Sequence, residues 1–134
     1  MRTIKFRGKD YETGEWTQGH FFQRLGHYPA IIEPRPHNGK VMYVETAVSD
    51  ETVGQFTGLY DVNGEEIYEG DILDFNGLII EVRFVRGVFA LLCNGNLDEE
   101  LCGDCRTDLF AKIIGNIHDN PDLLKGIKDN IDDF

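Results

Sequence analysis

The sequence has no apolar run approaching the roughly 20 residues that a membrane-spanning helix needs. Behind its first residues, Met1-Arg2-Thr3-Ile4-Lys5-Phe6-Arg7, it has no apolar segment of signal-peptide length. These two absences predict a soluble, cytoplasmic protein without membrane contact. Only one serine is present, Ser49, and it lies outside any Gly-x-Ser-x-Gly elbow, so nucleophilic serine chemistry has no support and a helix cap is the better reading. Neither Gly-x-x-x-x-Gly-Lys-Ser/Thr nor Gly-x-Gly-x-x-Gly occurs, which removes the usual phosphate cradles. None of the six lysines has an acid two positions before it, so the carboxylate and lysine spacing of many metal-dependent nucleases is missing too. Three cysteines, an odd count in a chain of this size, argue against a secreted disulfide framework and for reduced thiols.

What is present is enough for one folded domain: 134 residues, 41% of them hydrophobic, with nine Phe. Charge is strongly one-sided. Against 13 Lys and Arg stand 24 Asp and Glu, giving a net charge of -11 and a pI near 4.6, which opposes direct binding to duplex DNA. Residues 1–40 carry seven basic and four acidic side chains, whereas residues 41–134 carry six and twenty. No Lys or Arg occurs from Val41 to Val82. Within that stretch Glu65, Glu66, Glu69, Asp71 and Asp74 form the candidate interaction surface, weighed against a plain solvated sheet face. The one small basic patch expected is Lys5, Arg7 and Lys9, which would share one strand face.

Four Asn-Gly dipeptides, at 38–39, 63–64, 76–77 and 94–95, stand between apolar runs, and both residue types tolerate positive φ, so they predict antiparallel hairpins. Around Asn63-Gly64 the expected pairs are Val62 with Glu65 and Tyr60 with Ile67. The strand candidate Leu78 to Arg86 places Ile80, Val82 and Phe84 on a core face. Thr3 to Arg7 and Glu15 to Phe22 form a further hairpin, and a last strand is expected within Leu109 to Ile114. Prolines 29, 34 and 36 predict a long irregular loop from Arg24 to Lys40 around a short strand, Ala30 to Ile32. Helix is limited to one or two short pieces, at Ser49-Asp50-Glu51 and from Asn120-Pro121.

Candidate ligands are sparse. Asp61-Val62-Asn63-Gly64-Glu65-Glu66 has its glycine in the wrong place for a calcium loop and reads as a turn. Cys102-Gly103-Asp104-Cys105 is half a zinc site, with Cys93 nearby in sequence, but a second close pair is missing. The expectation is therefore no metal and no cofactor, with Cys93, Cys102 and Cys105 as the weak metal candidates. His20, His27, His37 and His118 show no ligand spacing, and Trp16, Phe21 and Phe22 are read as core, with the lining of a pocket as the alternative.

Five blocks then stand together in order: Phe6-Arg7-Gly8-Lys9-Asp10, Thr13-Gly14-Glu15-Trp16, Glu51 to Leu59, Asp61 to Ile72, and Ile114-Gly115-Asn116-Ile117-His118-Asp119-Asn120-Pro121. This pattern resembles the YopX family of phage and prophage proteins. The resemblance implies a mainly β fold with an SH3-type barrel in the C-terminal half, in a small intracellular protein of a phage-carrying bacterium. It brings no catalytic residues. The expected organisation is one domain over 1–134, with an N-terminal hairpin region of about 1–50, a barrel-like region of about 51–120 and an acidic tail over 121–134. The leading expectation is a non-enzymatic accessory protein that binds a host or phage protein or forms a homo-oligomer. The alternative is an acidic nucleic-acid mimic that blocks a DNA-binding host protein, and last comes a zinc module or enzyme built on the cysteines.

Overall fold

The computed structural model describes residues 3–23, 26–93 and 96–124. They form the strands β1 (Phe6–Lys9), β2 (Trp16–Gln23), β3 (Pro29–His37), β4 (Lys40–Ala47), β5 (Gly54–Tyr60), β6 (Glu66–Tyr68), β7 (Asp71–Phe75), β8 (Leu78–Val85), β9 (Val88–Cys93), β10 (Asn96–Glu100) and β11 (Ala111–Asn116). Helix among the described residues is confined to 3-10 turns at Asp50–Thr52 and Gly103–Cys105, the single turn α1 (Thr107–Phe110), and a last turn at 122–124. The fold is thus mainly β with antiparallel pairing. No helix among these residues is long and apolar enough to cross a membrane. The chain divides into two compact units, 1–56 and 57–134.

In the first unit β1 pairs with β2, β2 with β3 and β3 with β4, all antiparallel, and Gly54-Gln55 at the start of β5 pair with Arg7-Phe6. Asp10 shapes the β1–β2 turn by accepting the Glu12 and Thr13 N–H groups at 2.8 and 3.3 Å. Those bonds favour the ionised carboxylate and lower its pKa. Their contribution is present above the ordinary carboxylate pKa and is lost as the pH falls below it. Ile31 and Val48 are fully buried, and Gly8 lies under Val48 so closely that an added Cβ would meet its Cβ at 3.0 Å. Ser49 stands at the start of the turn Asp50–Thr52, as expected, but its hydroxyl makes no capping bond.

The loop expected from Arg24 to Lys40 is largely a strand. β3 runs from Pro29 to His37 and pairs along its length with β4, from Ala30↔Ala47 to His37↔Lys40. The prolines fit for a geometric reason. Val48 N–H bonds the Pro29 carbonyl at 3.0 Å, so odd-numbered residues of β3 point their backbone groups at β4. The nitrogens of Pro34 and Pro36 therefore point to the opposite edge, where pairing with β2 has already ended at His20↔Ile32. No ladder hydrogen bond is lost. Asn38 and Gly39, with φ of 51° and 76°, close the ribbon in a tight turn.

In the second unit the strand order is β10-β9-β8-β7-β11, and Thr57 in the last part of β5 bonds β6 through its hydroxyl to the Ile67 carbonyl at 2.7 Å. Two-residue turns with positive φ at both positions, Asn76-Gly77 and Arg86-Gly87, connect β7 to β8 and β8 to β9. The fourth dipeptide, Asn94-Gly95, lies outside the described residues. The core gathers Ile67, Leu73, Ile80, Val82, Leu91, Leu101 and Ala111. Phe84, expected on that face, is exposed near the strand end. Among the described residues no closed barrel is found: β10 and β11 are the two edges of the strand order, and no pairing joins them.

The Asn63-Gly64 turn differs from its expected register. Gly64 N–H bonds the Asp61 carbonyl at 3.0 Å and Asp61 N–H bonds the Glu65 carbonyl at 2.9 Å, so Asp61, not Val62, stands opposite Glu65. The loop has three residues and only Gly64, at φ 77°, is left-handed. Val62 N–H turns instead to the Ala111 carbonyl at 2.9 Å.

Two glycines give contrasting predictions. At Gly64 nothing lies within 4 Å of an added Cβ, so Gly64→Val meets backbone strain alone and should cost about 1–2 kcal/mol. At Gly19 an added Cβ would sit 2.2 Å from the Ile32 carbonyl oxygen, so Gly19→Ala must push β2 and β3 apart and cost more. Urea unfolding of both variants measures this; an unchanged midpoint for either contradicts the assignment.

Candidate functional site

The acidic stretch separates into carboxylates that hold the fold and carboxylates that face water. Asp61 is 2% exposed. Its Oδ1 accepts the N–H groups of Asn63 and Glu65, each at 2.9 Å, and its Oδ2 accepts Ile113 N–H at 3.1 Å. This carboxylate ties the turn to β11. Asp71, expected on an interaction surface, is 1% exposed and accepts Tyr68 N–H at 2.7 Å. That expectation is corrected: the chain reverses at Gly70, and the Asp71 carboxylate accepts the N–H of Tyr68 three residues earlier, which draws it inward. Asp74 is half-buried and accepts Gly77 N–H at 2.9 Å across its turn. Glu66 and Glu69 are half-buried, and Glu65 is exposed. Glu81, also buried, is paired with Arg83 Nε at 2.6 Å. The stretch is therefore only partly a surface.

The cysteines do not converge. Cys102 and Cys105 have Sγ atoms 3.8 Å apart. Cys93 pairs with Asn96 at one end of the β9–β10 ladder, while Leu101, beside Cys102, bonds the Phe89 carbonyl near the other. Four residues of strand separate Cys93 from Phe89, or about 13 Å. Among the described residues no group of three or more His, Cys, Asp or Glu is placed to hold a metal ion.

Arg7 and Lys9 share one face of β1, Lys5 lies just before the strand, and each of the three is held over a ring. Arg7 lies 4.6 Å and Lys9 5.5 Å from the Trp16 ring centroid, and Lys5 lies 5.3 Å from that of Phe56. Trp16, read from sequence as core, is a half-buried platform for two cations.

An exposed apolar face was hidden by the loop expectation. Directly opposed residues in antiparallel strands share a face, and the register His20↔Ile32, Phe22↔Ala30, Ala30↔Ala47, Ile32↔Glu45, Pro34↔Tyr43 and Pro36↔Val41 sets them in one layer. Val41 is 62% and Tyr43 69% exposed on it, and Tyr28, at the start of the ribbon, is 63% exposed. Tyr28 stacks obliquely on Tyr11, with ring centroids 4.9 Å apart. Hydrogen bonding to Tyr28 raises the pKa of the Tyr11 phenol above its ordinary value, and the Glu51 carboxylate adds to the effect. A cavity of about 280 Å³ is lined by Phe22, His27, Tyr28, Ala30, Glu45 and Ala47. A second, of about 430 Å³, shares Tyr28, Glu45 and Ala47 and reaches Tyr11 and Glu12. The opposite face of the same strands carries the buried Ile31. The sequence signal was Asn38-Gly39 followed by Val41-Met42-Tyr43-Val44, a continuous apolar run that fixes a strand but not which side is outward.

The two kinds of carboxylate can be told apart by mutation. Asp61→Ala leaves three backbone donors without their charged acceptor and should lower unfolding free energy by about 2–4 kcal/mol. Glu65→Gln should stay within about 0.5 kcal/mol of the parent protein. Equal effects in chemical denaturation contradict the division.

Comparison with known proteins agrees with this architecture. No curated protein matches the chain. Among solved structures, the crystal structure of protein EF1440 from Enterococcus faecalis is similar, with 27% identity and a TM-score of 0.59, covering 92% of this chain and 99% of that one. The profile of the family described as YopX protein matches residues 5–125, which take in every strand from β1 to β11, so the chain belongs to the YopX family.

Proposed function

We propose that this chain is a non-enzymatic binding protein that engages another protein through the outward face of β2, β3 and β4. The observation that carries the reading is the row of large exposed side chains on that face, Tyr28, Val41 and Tyr43, beside two concavities. A sheet face left to water usually alternates to polar residues. Tyrosine in such a place gives a partner a broad apolar surface with a polar tip and only two torsions to fix. Pro34 and Pro36 in the same layer stiffen the ribbon, so less order must be gained on binding. Its place of work, on the family resemblance, is the cytoplasm of a bacterium that carries the phage or prophage.

Mimicry of nucleic acid is the second reading. It draws on charge: the first unit has seven basic and seven acidic residues, so the whole net charge of -11 falls on the second. It is weakened by Asp61, Asp71 and Glu81, whose carboxylates are buried. We also read the second unit as an SH3-type barrel left open, supported by the strand order β10-β9-β8-β7-β11 and by the short helical turn α1 directly before β11.

The test compares two variants as bait in source cells. A Tyr28→Ser, Tyr43→Ser double variant should lose the partner retained by the parent protein, by about 30-fold or more in affinity, while still unfolding cooperatively with only a small drop in midpoint from the lost Tyr11–Tyr28 contact. A Glu65→Gln, Glu66→Gln, Glu69→Gln variant should keep it. The reverse pattern, with a basic partner and a steep salt dependence of association, supports mimicry and contradicts the proposal.

A further inference from the structure

Cys102 and Cys105 stand at the two ends of a short turn whose geometry is that of a dithiol ready to close. Three residues complete one 3-10 turn, so side chains at i and i+3 stand one above the other. Over Gly103–Cys105 this brings the two Sγ atoms to 3.8 Å, while Cys105 N–H bonds the Cys102 carbonyl at 3.1 Å. One such turn spans roughly 5–6 Å between Cα atoms, inside the range a disulfide bridges. Rotation about the Cα–Cβ bonds is then enough to form the bond.

The turn is pinned on both sides. Before it, Leu101 is in the core and its N–H bonds Phe89 at 2.9 Å. After it, Thr107 is buried and its hydroxyl donates to the Tyr60 carbonyl at 2.9 Å. Between them Arg106 takes a left-handed conformation, φ 53°, with its guanidinium on both oxygens of Asp108 at 3.1 Å. Because the chain is already held in this shape, closing the ring removes little further conformational freedom. A metal is the other use of two close sulfurs, but structural sites take four ligands, and Cys93 lies too far along the ladder to be a third.

We propose that Cys102 and Cys105 form a reversible disulfide by exchange with a low-molecular-weight or protein disulfide. Cys102 is exposed and Cys105 partly buried, so Cys102 attacks first. Its thiolate, having lost its proton to solvent, attacks one sulfur of glutathione disulfide and expels one glutathione thiolate. The Cys105 thiolate then attacks the Cys102 sulfur of the mixed disulfide and expels the second. Two protons and two electrons leave the protein, and the donor disulfide becomes two thiols. The product staples the turn between β10 and α1 in the shape it already has.

The test equilibrates the full chain, fully reduced, with a series of glutathione and glutathione disulfide mixtures, quenches with acid, and reads thiols and intact mass. The parent protein should lose two hydrogens in mass through the pair and carry no glutathione on Cys102 or Cys105. Cys93→Ser should fall from two thiols to none. Cys105→Ser, lacking the second thiol of the pair, should retain glutathione on Cys102. Any of four results overturns the proposal: a glutathione adduct that persists on Cys102 or Cys105 of the Cys93→Ser protein, disulfide-linked dimers of that variant, thiols of that variant that stay reduced throughout the series, or stoichiometric zinc in the purified protein that protects both cysteines.

Discussion

A proline can occupy a paired strand only where its nitrogen faces away from the partner, and the first unit depends on that constraint being met twice. Pro34 and Pro36 are two residues apart, so both nitrogens emerge on the same edge of β3. Pairing with β2 stops at Ile32, which leaves that edge open just where the prolines begin. Had they differed in parity, one would have broken the ladder to β4. The ribbon β3–β4 would then end near Glu33, and the outward layer of Tyr43, Val41 and the prolines would not exist. At the other end, Gly19 lets the Ile32 carbonyl approach β2 more closely than any side chain would permit.

The second unit is organised around carboxylates used as internal connectors. Asp61 accepts three backbone donors from two segments far apart in sequence, so one side chain sets both the three-residue turn and the place of β11. Asp71 and Asp74 satisfy N–H groups at the next two turns. An excess of acid can therefore reflect turn chemistry as well as a working surface, since a carboxylate is the strongest common acceptor for unpaired backbone donors. This use weakens the case for a nucleic-acid mimic and directs attention to the neutral first unit.

The antiparallel β character was legible because Asn38-Gly39 and Asn76-Gly77 sit where left-handed backbone is required, and the core residues Ile80 and Val82 followed from period-two alternation. Other features were not. The ribbon was concealed because proline count carries no information about which edge a strand leaves open. The register at Asp61 was missed because a three-residue loop and a two-residue loop around Asn63-Gly64 read alike until the Asp61 side chain is placed. Of the proposed acidic surface, Asp71 failed because charge in a sequence does not distinguish a carboxylate bonded to backbone from one bonded to water. The basic strip Lys5, Arg7 and Lys9 was read correctly, although its stacking over Trp16 and Phe56 was not. The aromatic face, on which the proposed function rests, needed the register of three strands and could not be seen from any one of them.

The central claim is that the outward face of β2, β3 and β4 is the surface a partner covers. Hydroxyl-radical footprinting of the free chain and of its complex tests it directly, because tyrosine oxidation reports side-chain exposure at single residues. The account predicts that Tyr28 and Tyr43 are oxidised in the free protein and protected in the complex, with Tyr60 in the second unit unchanged. Protection of Tyr60 with Tyr28 and Tyr43 left reactive would contradict it.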